Sequence, residues 1–194
     1  MLGAYLLAGN APVAVAGETL MPFDFDAIRE HAAALGEVPA GAAFALLLFL
    51  IGFGIKAGMW PFGQMWLPDA HPAAPSPVSA LLSGVMIKTG VYGLMRSFIW
   101  MMPPDGTSWY SPGAWGAALA LLGTLTLFFG TMQALKQEQS KRLLAFHSIG
   151  QVGYIIFGIG ACLALLPSGA DSQGLLALAV IGFYGALFHT VNHA

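Results

Sequence analysis

Residues Gly41–Trp100 read GAAFALLLFLIGFGIKAGMWPFGQMWLPDAHPAAPSPVSALLSGVMIKTGVYGLMRSFIW, and this stretch decides the fold. Phe44–Ile55, FALLLFLIGFGI, is apolar without alternation, which excludes the period-2 pattern of a membrane β-barrel and fits a helix running through hydrocarbon. A proline-rich segment follows, and then a second apolar run. Each run carries one lysine, Lys56 and Lys88, in a setting where a charge is costly.

Working outward, the chain has 194 residues, 57% hydrophobic and 8% charged, against roughly a quarter charged in soluble domains. There are 7 Lys and Arg, 9 Asp and Glu, a net charge of −2 and one cysteine. These values exclude a disordered tail, a disulfide scaffold and a nucleic-acid binder. Cys162 alone supplies no CxxC pair, zinc ribbon or iron–sulfur cluster. The class is an all-α polytopic membrane protein.

A span needs about 20 apolar residues. Six segments qualify, at about 2–17, 41–60, 76–101, 112–134, 143–166 and 173–194, within a single membrane domain covering 1–194. The loop 135–142 holds Lys136, Lys141 and Arg142 against Glu138, whereas 18–40 holds Glu18, Asp24, Asp26, Glu30 and Glu37 against Arg29. The positive-inside tendency puts 135–142 on the cytoplasmic side and 18–40 outside, and the lone Asp171 of the 167–172 loop falls outside on the same count. The first segment begins without flanking charge and the last runs apolar to Ala194, so the chain is expected to be the middle of a longer one.

An ionisable residue inside a span faces a polar interior by default. Lys88 sits near the middle of its span, with Ser79, Ser83 and Gly84 before it and Gly90 and Gly93 after it, small residues that permit close packing or water. Lys56 lies near the end of its span, where snorkelling to the surface is an alternative, as it is for Arg96. Between the lysines, Pro61, Pro68, Pro72, Pro75 and Pro77 forbid a continuous helix. With Trp60, Phe62, Met65, Trp66 and Leu67 among them, the segment Pro61–Pro77 is too apolar for a solvated loop and predicts a discontinuous helix. Its freed backbone groups would meet a polar cavity with Asp69 and His71 as contents.

His189 and His193, four apart, share a helix face beside Asn192. HTVNH has Thr190 where the glutamate of a zinc-protease helix would stand, so that motif fails, although spacing alone leaves a metal pair open. His147, with Ser148 and Gln151, reads as a polar entry one turn into its span, or as a bland interfacial histidine. GFGIKAG is not a dinucleotide fingerprint, and no Walker A, nucleophile elbow or haem-ligand pair occurs. The chain therefore predicts no catalytic residue, no metal and no cofactor of its own.

Ile55–Leu94 resembles the most diagnostic stretch of the proton-conducting antiporter-like membrane subunits. That family comprises the large membrane subunits of respiratory complex I, of formate-hydrogenlyase-type membrane hydrogenases and of Mrp-type cation/proton antiporters. Ser140–Tyr154 (SKRLLAFHSIGQVGY) is similar to the family's second signature and Leu187–Ala194 (LFHTVNHA) to the start of its third. The resemblance implies that Lys56 is the central proton site of a half-channel and Lys88 its connecting lysine, with His189 and His193 on the central axis. With them, His147 is expected to take part in proton transfer, and Pro61, Pro68, Asp69, His71, Ser83 and Gln151 to support the broken helix and the path. A lysine four residues past His193, a glutamate paired with Lys56 and a second discontinuous helix belong to the family pattern and fall outside this sequence. Gln139 replaces a usual aspartate, Gln151 a frequent histidine, and His147 a common serine; the last leans toward the hydrogenase-related and Mrp-like branch.

The function implied is proton translocation in a redox-driven complex, alongside other membrane subunits and the lipid bilayer and with no nucleic-acid partner. The expected setting is a bacterial or archaeal cytoplasmic membrane. The alternatives are an Mrp-type sodium/proton antiporter subunit and an inactive truncated or structural piece.

Overall fold

A computed structural model describes residues 13–15, 18–21, 24–34, 40–102, 106, 109–169 and 173–194. In chain order these form β1 (Val13–Val15), β2 (Glu18–Leu20), α1 (Phe25–Ala34), α2 (Ala40–Ala57), a 3-10 turn (Gly63–Met65) and α3 (Leu67–Ala73), then α4 (Ser76–Trp100), α5 (Pro112–Ala134), α6 (Ser140–Gly169) and α7 (Gln173–Asn192). Four helices, α4 to α7, are long and apolar enough to cross a membrane, and α2 is a shorter apolar helix. Their outer faces carry Leu121, Phe128, Ile181, Phe188 and Val191, all more than half exposed, a surface suited to hydrocarbon rather than water.

The expected first span, 2–17, is corrected in its described part. Residues 1–12 lie outside the description, and Val13–Val15 form a strand, antiparallel to Glu18–Leu20 with Val15 opposite Glu18. Two β-branched valines in three residues favour the extended backbone over helix. The 18–40 stretch is likewise more than a loop. It contains α1, which buries Ala27, Ile28 and Ala32 and exposes Asp26, Arg29 and Glu30. Arg96, read as a snorkelling residue, lays its guanidinium 4.4 Å from the centre of the Phe25 ring, so α1 lies against the far end of α4.

The expected break after the second span is present and has a local cause. Gly58 has φ +85°, the left-handed region that glycine enters without Cβ strain. Gly58 N–H donates to Ile55 O at 3.2 Å and Met59 N–H to Gly54 O at 2.9 Å, the paired bonds of a Schellman stop. Trp66 Nε1 donates to Ile55 O at 2.9 Å, and Trp60 N–H donates to Thr126 Oγ1 of α5 at 3.0 Å. Freed backbone groups are thus met by protein side chains. The Trp60–Pro61 bond is cis, and the Trp60 ring stacks on Phe129 at 5.1 Å.

Glycines set the helix packing. Gly116, Gly123 and Gly130, seven apart on α5, meet the backbones of Ala164, Phe157 and Gly150 on α6, and Gly153 and Gly160 meet Leu127 and Ala120 in return. A Cβ at any of them would strike main-chain atoms, so the two helices lie backbone to backbone along a seven-residue repeat. Gly90 of α4 receives the backbone of Lys56 and Ala57 in the same way. This packing brings α3, α4, α6 and α7 around one polar seam.

Candidate functional site

The seam is built from residues one turn apart on three elements. On α4, Ser79 and Ser83 are separated by one α turn. The segment Leu82–Met86 is a π turn, with Ile87 N–H bonded to Leu82 O. That wider turn carries Lys88 back over the carbonyl five residues before it. His147, Ser148 and Gln151 supply one turn of α6; His189 lies in the last turn of α7 and His193 just past its end, its N–H bonded to His189 O.

Lys88 is 9% exposed. Its Nζ donates to Ser83 O at 2.6 Å and His193 O at 3.1 Å, and lies 2.7 Å from His193 Nδ1. Since an ammonium only donates, His193 Nδ1 accepts and the neutral ring carries its proton on Nε2. His189 Nε2 lies 2.8 Å from Gln151 Oε1, and Gln151 Nε2 lies 3.4 Å from His147 Nε2. The His193 ring stands between those of His189, centroids 6.2 Å apart and nearly parallel, and His147, at 6.4 Å. Ser83 Oγ and Ser148 Oγ are 2.8 Å apart.

Toward the Lys141 end the seam widens into a cavity of about 350 Å³, lined chiefly by His71, Ser79, Ser83, Lys141, His147, Ser148 and His193. That is room for several water molecules. His71, 2% exposed, holds Nδ1 at 2.5 Å from Ser79 Oγ, while its Nε2 meets no hydrogen-bond partner among the described residues. Burial, and secondarily the Lys141 charge, hold His71 below the usual histidine pKa. Lys141 Nζ donates to Ala74 O at 2.8 Å, the residue that caps the end of α3.

The structure therefore bonds Lys88 to Ser83 and His193, bonds His147, Gln151 and His189 to one another with both imidazoles beside the His193 ring, and places His71 on the same cavity. It does not bring in the others. Asp69, expected as a content of the cavity, instead faces outward, its side chain 75% exposed and paired with Arg142 at 3.2 Å. The reason is helical phase: Asp69 and His71 are two apart on α3 and point to different sides. Pro61 and Pro68 flank the break, the first at the turn and the second at the buried start of α3. Lys56 is exposed at the end of α2, beside Val78, Leu82 and Thr89, and meets no polar partner among the described residues. His189 and His193 spend one nitrogen each on Gln151 and Lys88. Among the described residues, no three metal-ligating side chains converge. Lys141 went unrecognised as a site residue in the sequence, where it reads as loop charge. Its signal is the Lys-Arg pair at a helix start facing a proline-broken segment.

A bundle of apolar helices with a proline-broken element beside buried Lys and His defines a helical membrane protein with a polar interior seam. Residues 16–193 match the family model described as NADH:quinone oxidoreductase/Mrp antiporter, TM, and the chain belongs to that family. It is 40% identical over 156 residues to Hydrogenase-4 component B of Escherichia coli (strain K12), covering 80% of this chain and 22% of that protein. It is 36% identical over 196 residues to NAD(P)H-quinone oxidoreductase chain 4 2 of Thermosynechococcus vestitus, covering 97% of this chain and 35% of the relative. Formate hydrogenlyase subunit 3 of Escherichia coli (strain K12) is 36% identical over 148 residues, 76% of this chain and 22% of that one. The chain thus spans about a fifth to a third of these relatives. Among solved structures, the Mrp complex from Dietzia sp. DQ12-45-1b superposes with a TM-score of 0.58 at 24% identity, over 81% of this chain and 27% of that one, a likeness of fold.

Proposed function

We propose that the chain carries a section of a proton path across the membrane, as part of an antiporter-like subunit in a multisubunit redox or hydrogenase complex. One observation carries the reading: a buried lysine, Lys88, is hydrogen-bonded to Ser83 and His193, two of the residues that line a cavity extending to Lys141. A proton exchanged between Lys88 Nζ and His193 Nδ1 needs no heavy-atom movement at 2.7 Å. The ring contacts then offer His189 and His147 as onward branches. Family membership and the names of the relatives support the setting. Lys56, exposed on α2 and without a polar partner among the described residues, is proposed to act with a carboxylate.

The orientation follows from the loop charges: residues 135–142 on the cytoplasmic side of a bacterial or archaeal membrane, 18–40 outside. The test is Lys88→Met in the native membrane. Proton translocation should vanish while membrane insertion and abundance stay unchanged; unaltered translocation would sink the reading. Sodium-dependent proton exchange in vesicles would instead point to the antiporter alternative.

A further inference from the structure

We propose that the Lys88 ammonium is the resident occupant of a monovalent-cation cradle, formed by Ser83 O, His193 O and His193 Nδ1, and that it keeps sodium out of the cavity. All three N–H donors of the ammonium are matched, at 2.6, 3.1 and 2.7 Å. Two of the three acceptors are main-chain carbonyl oxygens, the groups that replace hydration water around alkali cations in membrane filters. They converge because the π turn Leu82–Met86 brings Ser83 O under Lys88 and the turn that follows α7 brings His193 O across from it.

The surroundings agree. Two side-chain hydroxyls on the cavity have partners of their own, Ser83 with Ser148 at 2.8 Å and Ser79 with His71 at 2.5 Å. Among the described residues, the other titratable side chains lining the cavity, His71, Lys141 and His147, are all bases, and Asp69 of α3 is turned outward onto Arg142. Where Ser83 O and His193 O converge, a tethered cation already fills the place that a mobile cation would take. The proton can leave Nζ; the ammonium itself cannot leave. Sodium and the charged lysine are mutually exclusive occupants, and the site passes protons by holding the alternative on a side chain. The consequence for selectivity rests on the proton-path reading; the occupancy of the cradle does not.

The experiment compares the native protein, purified with its associated subunits, with Lys88→Ala and Lys88→Met variants. Each is unfolded thermally in sodium chloride and in choline chloride of equal strength, followed by tryptophan fluorescence. The Ala variant empties the cradle and should gain a sodium-specific rise in midpoint of roughly 3–5 °C once sodium is tenfold above its Kd. The Met variant fills the same space with an apolar chain and should show no shift, as should the unmodified protein. A sodium-specific shift in the unmodified protein would overturn the proposal. So would its absence in a folded Ala variant, or in Lys88→Ser should the Ala variant not fold. If the Ala variant stops translocating protons without gaining the sodium shift, the cradle is wrong and the proton path stands. If it gains the shift yet translocates normally, the cradle stands and the proton path is wrong.

Discussion

At the scale of single residues, the site works by pairing bases with bases. Lys88 is held by two carbonyls and an imidazole rather than by a carboxylate, so its charge is solvated by dipoles and not cancelled. His71 shows the same economy nearer the surface. Its lowered pKa means that the folded state favours the neutral ring, whereas the unfolded chain takes up the proton near pH 6.5. The associated stability is therefore present above pH 6.5 and lost as pH falls through the lower folded value. Acidification from pH 7 to pH 5 should lower the thermal midpoint. Lys141→Met, which removes the secondary cause of the shift, should make that loss smaller; an equal or larger loss would separate Lys141 from His71. The polar residue types were legible in the sequence, because an ionisable group in an apolar run is conspicuous. Their partners were not: Gln151 meets His189 across 38 positions and Lys88 meets His193 across 105, and spacing is silent on such pairs.

At the scale of elements, two devices position the site. One is the stop of α2 at Gly58, followed by the short α3 that places His71 inward and Asp69 outward. The prolines announced the break, and the helical phase of α3, absent from a reading of the segment as a whole, sorted the two polar residues. The other is the glycine seam between α5 and α6. The seven-residue spacing of Gly116, Gly123 and Gly130 was visible in the sequence, yet it has no meaning until the facing helix is known. Gly123→Leu should cost about 2 kcal/mol or more, because the new side chain has the Phe157 backbone in its way. Gly185→Ala, where a Cβ meets nothing within 4 Å, should be neutral or slightly stabilising through helix propensity. Thermal midpoints of the two variants check both statements. A tolerated Gly123→Leu would mean that the seam is looser than drawn.

For the whole molecule, the topology proposed from the loop charges puts the cavity and its Lys141 mouth at the cytoplasmic face. A cysteine introduced by Gln137→Cys should react with an impermeant maleimide in inverted vesicles and stay unreacted in intact cells, with Cys162, buried, contributing little background. The reverse pattern would invert the proposed topology. Composition and hydropathy by themselves determined that this is a helical membrane protein, where α4 to α7 run, that the chain breaks after Lys56, and which side chains are out of place in hydrocarbon. Those properties are local: each depends on the length of an apolar run or on what proline and glycine permit. Only the tertiary structure decided that Lys88 binds His193, that Lys56 stands apart on the surface, that Asp69 leaves the cavity to Arg142, and that residues 13–15 extend rather than coil. These depend on which helix faces which, and that is settled by backbone contact at glycines and by the phase of short broken helices.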